Sequence, residues 1–283
     1  MDLADQFLDK VGHLPPAPTI ATQLLNLFSE PDRDLDRIVT LISHDPSLTG
    51  EVLQRCNSAS FCGAEPVSDM FEAVTRLGFY EVYCVVTALV AARALSLAPK
   101  GSGLDIGKLW EHSVTTAVAA SVVAGQAGES EAVAFTAGLL HDVGKLILAS
   151  VEPVAYGKIL QQAGTWGSGL VEAEMGAFQV SHALVGAKLL ARWGLPTNVL
   201  LPVLRHHDST LQLETFSQLW ATVRLANSLA HGLKDGATGA LEPSTENFNA
   251  MCVLHLGPDQ LPSVLAKVAD GLKHVQVLLQ MAA

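Results

Sequence analysis

The segment Ala134–Leu148 reads AFTAGLLHDVGKLIL, with His141 and Asp142 side by side in almost wholly apolar surroundings and Gly144 and Lys145 directly behind them. Removing an unpaired charge from water costs on the order of several kcal/mol, so the pair calls for compensation. A divalent first-row metal supplies it, because imidazole nitrogen and carboxylate oxygen are both natural ligands for such an ion. The structural alternative is that Asp142 caps the helix that follows and His141 is a hydrogen-bonded core histidine. The dipeptide alone does not choose between them.

Further histidines stand upstream and downstream: His112 in LWEHSVTTAV, His182 in VSHALVGAKLLARWGLP, and His206 with His207 in VLRHHDS. Each lies within or at the edge of an apolar helical pattern, where histidine is not a default choice. The segments that carry them are predicted helices near 105–125, 131–140, 143–150, 179–193, 197–206 and 214–233, with another near 153–163.

Helical spacing recurs along most of the chain and strand signals are scarce, so the fold class expected is all-α. Ile20, Leu24, Leu27 and Phe28 form one buried stripe behind a cap at Thr19, and Leu35, Ile38, Val39 and Ile42 form the next behind Asp34. Asp45-Pro46 opens a third helix with a side-chain acceptor and a proline at the first helical position. Ser68 or Asp69 opens a fourth that ends at Gly78, and an apolar fifth near 79–97 reads as a buried helix. The segment APKGSG at 98–103 is the boundary signal. It divides the chain into an N-terminal helical half, 1–97, packed on a helical bundle, 98–283. GTWGSG after the helix at 153–163 and the stretch 234–247 read as loops, and two helices near 247–255 and 259–280 close the chain. Trp110, Leu139, Leu140, Leu146, Leu189 and Leu190 are expected in the core.

With 283 residues and 49% hydrophobic content the chain can bury a sizeable core. A formal net charge of −11 argues against a broad footprint for nucleic acid or for an anionic membrane. Cys56, Cys62, Cys84 and Cys252 form no CxxC pair and no disulfide framework, which fits a reducing cytoplasm. The acidic start MDLADQFLDKV lacks the basic and apolar regions of a signal peptide. A cytoplasmic protein is therefore expected.

In order, HDVGKL, the SHALVGAKLLARWGLP segment with its glutamate-rich lead, and the HH pair resemble the HD superfamily of metal-dependent phosphohydrolases. LPPAPTIATQLL, ISHDPSLTGEVLQRCNSASF and AVTRLGF resemble the companion half of the HDOD family, the HD-related output domain of bacterial signalling. The resemblance spans roughly residues 14–235. It implies metal ligation by His112, His141, Asp142, His182, His206 and His207, by one or two ions, and a final aspartate at a position where this chain has Asn227. Iron or manganese is the implied metal, since no thiolate stands near these ligands; a metal-free protein remains an equally open reading. Lys145 would face a substrate phosphate in an enzyme. His231, one helical turn beyond Asn227, is an alternative ligand. His231, His255 and His274 taken singly read as core or helix-end histidines, and His44 as a turn histidine.

Two departures shape the functional expectation. Asn227 brings no negative charge, which leaves Asp142 as the sole anionic ligand. The GYP segment that marks cyclic-di-GMP phosphodiesterases is missing from HHDSTLQLETF. The resemblance therefore implies a regulatory output module, in which residues 1–97 bind a signalling protein or a small ligand. A metal-dependent phosphohydrolase of nucleotides or cyclic dinucleotides and a di-iron redox or ligand sensor are the alternatives.

Overall fold

The computed structural model describes residues 2–11, 19–30, 34–57, 67–95, 101–163, 168–208, 217–234 and 245–274. Cys62, residues 98–100 of the boundary segment, most of the two loop segments and the end of the last helix lie outside these residues.

The described residues form α-helices and one 3-10 turn, with no strand. The N-terminal half contains α1 (Leu3–Lys10), α2 (Thr19–Ser29), α3 (Leu35–Ser43), α4 (Pro46–Cys56), α5 (Met70–Leu77) and α6 (Phe79–Leu95). Aspartates open several of these helices: Asp34, Asp45 and Asp69 each accept from a backbone N–H of the following first turn. Thr19 is the first described residue of α2. At Gly78, where the fourth helix ends as expected, φ is +87°, a value that favours glycine, and ψ is 156°, so the chain turns through 116° into α6 rather than through a left-handed cap.

The second half runs through α7 (Ile106–Ala127), α8 (Glu131–Leu140), α9 (Gly144–Val151), α10 (Pro153–Ala163), α11 (Ser168–Phe178), α12 (His182–Arg192), α13 (Thr197–Arg205), α14 (Ser217–Lys234), α15 (Thr245–Val253) and α16 (Leu261–His274). Here the structure adds an element: α11 occupies 168–178, part of which reads as a glycine-punctuated loop in the sequence. All six residues expected in the core are buried, Trp110 at 1% exposure.

The axis of the bundle is α7, which packs on α8, α14 and α16, while α12 packs on α9 and α13. Small residues let these helices approach closely. A Cβ on Gly138 would lie 2.9 Å from Ala117 Cα, so α8 lies directly on the alanine face of α7. The second approach is tighter still. A Cβ on Gly144 would meet the carbonyl oxygen of His182 at 1.9 Å and Gly186 N at 2.7 Å, so only glycine lets α9 lie on the start of α12. Gly138 and Gly144 thus flank the His141-Asp142 pair and fix its depth. The hydrophobic core is continuous between the two halves, through the packing of α6 and α2 on α8.

The acidic start of the chain forms α1, which lies on α12 and α9 rather than among α2–α5. Lys188 pairs with Asp2 and Asp5, Arg192 with Asp5 and Asp9, and Phe7 meets the Phe178 ring edge-on at 5.6 Å. The stretch Glu131–Val151, covering α8 and α9, is long and apolar enough to cross a membrane by composition, yet its apolar 18-residue window is buried inside the protein.

Candidate metal centre

His141 and Asp142 occupy the short break between α8 and α9. Asp142 is not the cap that the structural alternative requires, since the residue before α9 is Val143 and no side chain caps that helix. The Asp142 carboxylate points into the bundle instead. Its Oδ1 lies 3.3 Å from His182 Nε2 and 3.7 Å from His206 Nε2. Its Oδ2 lies 3.2 Å from His141 Nε2 and 3.8 Å from His112 Nε2. His182 Nε2 is in turn 3.1 Å from His207 Nε2. Five histidines from four separate segments therefore converge on one carboxylate. Their potential ligand atoms form two groups that share Asp142: Asp142, His182, His206 and His207 in one, His112, His141 and Asp142 in the other.

The backs of the rings fix which nitrogen faces inward. His141 Nδ1 lies 2.8 Å from Gly138 O and His206 Nδ1 lies 2.7 Å from Val203 O. A carbonyl oxygen can only accept, so in each ring Nδ1 carries the proton and Nε2 keeps a lone pair. These Nε2 atoms are buried without a hydrogen bond in the protein, as are Asp142 Oδ1 and Asn227 Oδ1. His206 Nε2 and Asp142 Oδ1 are buried acceptors that face each other without a donor, which is what a cation requires, and outward N–H bonds of this kind orient imidazole ligands in metal sites. The donor set, imidazole and carboxylate with one amide, fits a divalent first-row ion.

Glu174 completes the arrangement and is the residue that sequence reasoning misses. It is fully buried, and its Oε2 accepts from His182 Nδ1 at 2.7 Å and from the His182 backbone N–H at 2.8 Å. Its Oε1 accepts from Tyr156 OH at 2.9 Å. Gln179, at φ +59°, turns the end of α11 back so that Ser181 caps α12, with Leu184 N–H donating to its hydroxyl. That turn brings Glu174 against His182.

Lys145 is buried and donates to Asp142 Oδ2 at 2.7 Å. Asn227 lies on α14, one turn before His231, whose ring stacks on His112 with centroids 4.6 Å apart. His255 is exposed at a helix end, with φ +52°, and His44 is the exposed residue that ends α3.

Electrostatics keeps most of these rings in the ligating form. Burial holds His206 down to about 4, and burial together with His141 pushes His112 well below the ordinary imidazole range. Burial and the neighbouring His206 also push His207 down. His182 moves up, because Glu174 and Asp142 outweigh the effect of burial. Burial also opposes the charge of Asp142, but His141 and Lys145 more than offset it and hold the carboxyl well below its usual range. The depressed value at His206 has a sign. Below its ordinary 6.5 the unfolded chain takes up a proton there that the folded chain refuses. The metal-free protein should therefore lose stability as pH falls from about 6.5 to about 4, read as a falling urea midpoint.

Residues 14–209 match the HDOD domain family. The chain belongs to the HDOD family. Among curated proteins it is 29% identical over 240 residues to an uncharacterized protein of Treponema pallidum (strain Nichols), covering 83% of this chain and 45% of that protein. The chain spans less than half the length of the curated relatives it matches. Among solved structures it superposes with TM-score 0.78 on a protein of Marinobacter aquaeolei VT8 provisionally named as a signal transduction protein, at 23% identity, over 100% of this chain and 61% of that one. A provisionally named phosphohydrolase of Shewanella amazonensis SB2B gives TM-score 0.73 at 22% identity, over 98% of each chain. At these identities the structural neighbours speak to the HD-like helical fold. Nucleotide hydrolysis is not carried over with it.

Proposed function

We infer that this HDOD chain is a bacterial signal-transduction output module built on a degenerate HD-type metal centre, and that it is not a hydrolase. The observation that carries this reading is the charge of the ligand set. Asp142 is the only carboxylate in either group of potential ligand atoms, and Asn227 stands where the HD pattern has its final aspartate. Among the described residues the one other buried carboxylate, Glu174, is already engaged by Tyr156 and by both nitrogens of His182 that face it. Hydrolysis of a phosphodiester needs a base to take a proton from water, and this site offers no uncommitted anion for that task.

One or two ions would draw their ligands from among His112, His141, Asp142, His182, His206 and His207, with Asn227 as a weak neutral ligand; iron or manganese suits these donors. When bound, the ion supplies Lewis acidity and a positive charge that knits the helical segments bearing its ligands together. The N-terminal half offers the surface for a partner or small ligand: a cleft of about 620 Å³ between α2 and α3, lined among others by Gln23, Asn26, Arg37, Thr40 and His44. Cys56, Cys84 and Cys252 are free thiols, in keeping with a cytoplasmic location.

A phosphohydrolase is the second reading, favoured by the convergence of the histidines on Asp142. Asn227→Asp separates the two. The substitution changes little in volume and adds an anionic ligand, so it should tighten Mn²⁺ binding by about tenfold, ~1.4 kcal/mol, and confer weak cleavage of a chromogenic phosphodiester. The wild type should stay at background. Wild-type turnover that Asp142→Ala abolishes would establish the enzyme reading instead, and unchanged affinity in Asn227→Asp would take residue 227 out of the centre.

A further inference from the structure

The two oxygens of Asp142 are not equivalent. Oδ1 faces His182 and His206 and accepts no hydrogen bond from the protein. Oδ2 faces His141 and His112 and receives the Lys145 ammonium at 2.7 Å. A lysine head group is a compact point charge, and Lys145 is only 2% exposed, held on the first turn of α9 against the carboxylate. On the Oδ2 side, then, the position that a second metal ion needs already has a cation beside it.

The protein scaffolding differs in the same sense. On the Oδ1 side, Glu174 backs His182 with a full negative charge, the Val203 carbonyl orients His206, and His207 adds a third imidazole. A carboxylate behind a histidine raises its basicity as a ligand. On the Oδ2 side, His141 is backed by a neutral carbonyl and His112 carries the stacked ring of His231, one helical turn beyond Asn227 on α14. The group of His and Asp ligand atoms on Oδ1 has four members and that on Oδ2 three, and the Glu174 charge stands behind the first.

We propose that this chain binds a single divalent ion, on Asp142 Oδ1, His182, His206 and His207, and that the Lys145 ammonium replaces the second ion on the Oδ2 side. The HD pair thus contributes one oxygen to the metal and the other to an internal cation. The proposal rests on the metal-centre reading above and goes beyond it by assigning the stoichiometry, the ligand set and a role for Lys145 other than gripping a substrate phosphate.

The test is metal content and Mn²⁺ affinity of the full chain, with electron paramagnetic resonance to distinguish an isolated Mn²⁺ from a coupled pair. Wild type should hold one ion with an isolated-ion spectrum. His207→Ala, a change at the half-buried rim of the site, should weaken binding by about 100-fold, and Glu174→Gln by about 10- to 100-fold. His112→Ala should still hold one ion. Lys145→Met, which keeps the side-chain length and removes the charge, should admit a second ion, more firmly when combined with Asn227→Asp. Circular dichroism on each variant verifies the fold. Two ions in the wild type, or loss of the ion in His112→Ala with retention in His207→Ala, would overturn the proposal. A second ion failing to enter Lys145→Met alone or combined with Asn227→Asp would overturn the role of Lys145. A folded wild type that takes up no Mn²⁺, Fe²⁺ or Zn²⁺ would instead sink the metal-centre reading itself.

Discussion

Gly144→Ala should destabilise the protein by about 3 kcal/mol, the upper end for overpacking in a close-packed interior, and should weaken metal binding along with it. The new methyl would sit 1.9 Å from the His182 carbonyl oxygen and 2.7 Å from Gly186 N. Both obstacles are backbone, so no side-chain rotation relieves them. Relief requires α9 and α12 to separate, and that motion carries Asp142 Oδ1 away from His182 Nε2, now 3.3 Å apart. The control is Gly186→Ala in the facing helix, whose Cβ would be 3.1 Å from Gly144 N; it should cost clearly less. Gly176→Ala in α11, with open space around the new atom, should be neutral or stabilising by about 0.5 kcal/mol. Denaturant midpoints for the three variants rank them directly. Equal effects at Gly144 and Gly176 would mean that the α9–α12 contact is not as tight as described.

Glu174→Ala should be the most damaging change away from the ligands themselves. It removes the acceptor for Tyr156 OH, His182 Nδ1 and the His182 N–H, all buried. Breaking a buried charged network by deleting one partner costs about 3–5 kcal/mol, because the groups left behind lose their hydrogen bonds. Glu174→Gln keeps one acceptor oxygen and should cost less in stability, yet it removes the charge behind His182. Thermal unfolding of the metal-free proteins isolates the stability effect. A loss below about 1 kcal/mol in Glu174→Ala, the scale of one ordinary hydrogen bond, would contradict the network.

The helical class and the histidine constellation were legible because each rests on a local anomaly. His112, His141, His182 and His206 interrupt apolar periodicities, and an ionisable group in such a place is visible without knowing its partners. Asn227 was legible only against the HD pattern. Glu174 gave no such signal. It sits in SGLVEAEMGAF beside Glu172, which is exposed, and the two look alike in sequence. What separates them is which face of α11 turns toward Tyr156 and the start of α12. The helix itself was hidden because its beginning overlaps a glycine-rich stretch with loop chemistry. The docking of α1 on α12 was equally hidden, since its ion pairs join residues more than 170 positions apart.

The burial of Glu131–Val151 has a consequence for the life of the chain outside its folded state. Once the bundle opens, this stretch presents about 20 consecutive residues with the length and polarity of a bilayer-spanning helix. An opened chain would meet other opened chains, or a lipid surface, through the same segment that carries the HD pair. Heating should therefore end in precipitation rather than in a reversible equilibrium, and the useful measure of robustness becomes a half-life set by the rate of opening. Bound metal would then act as a brake on that rate.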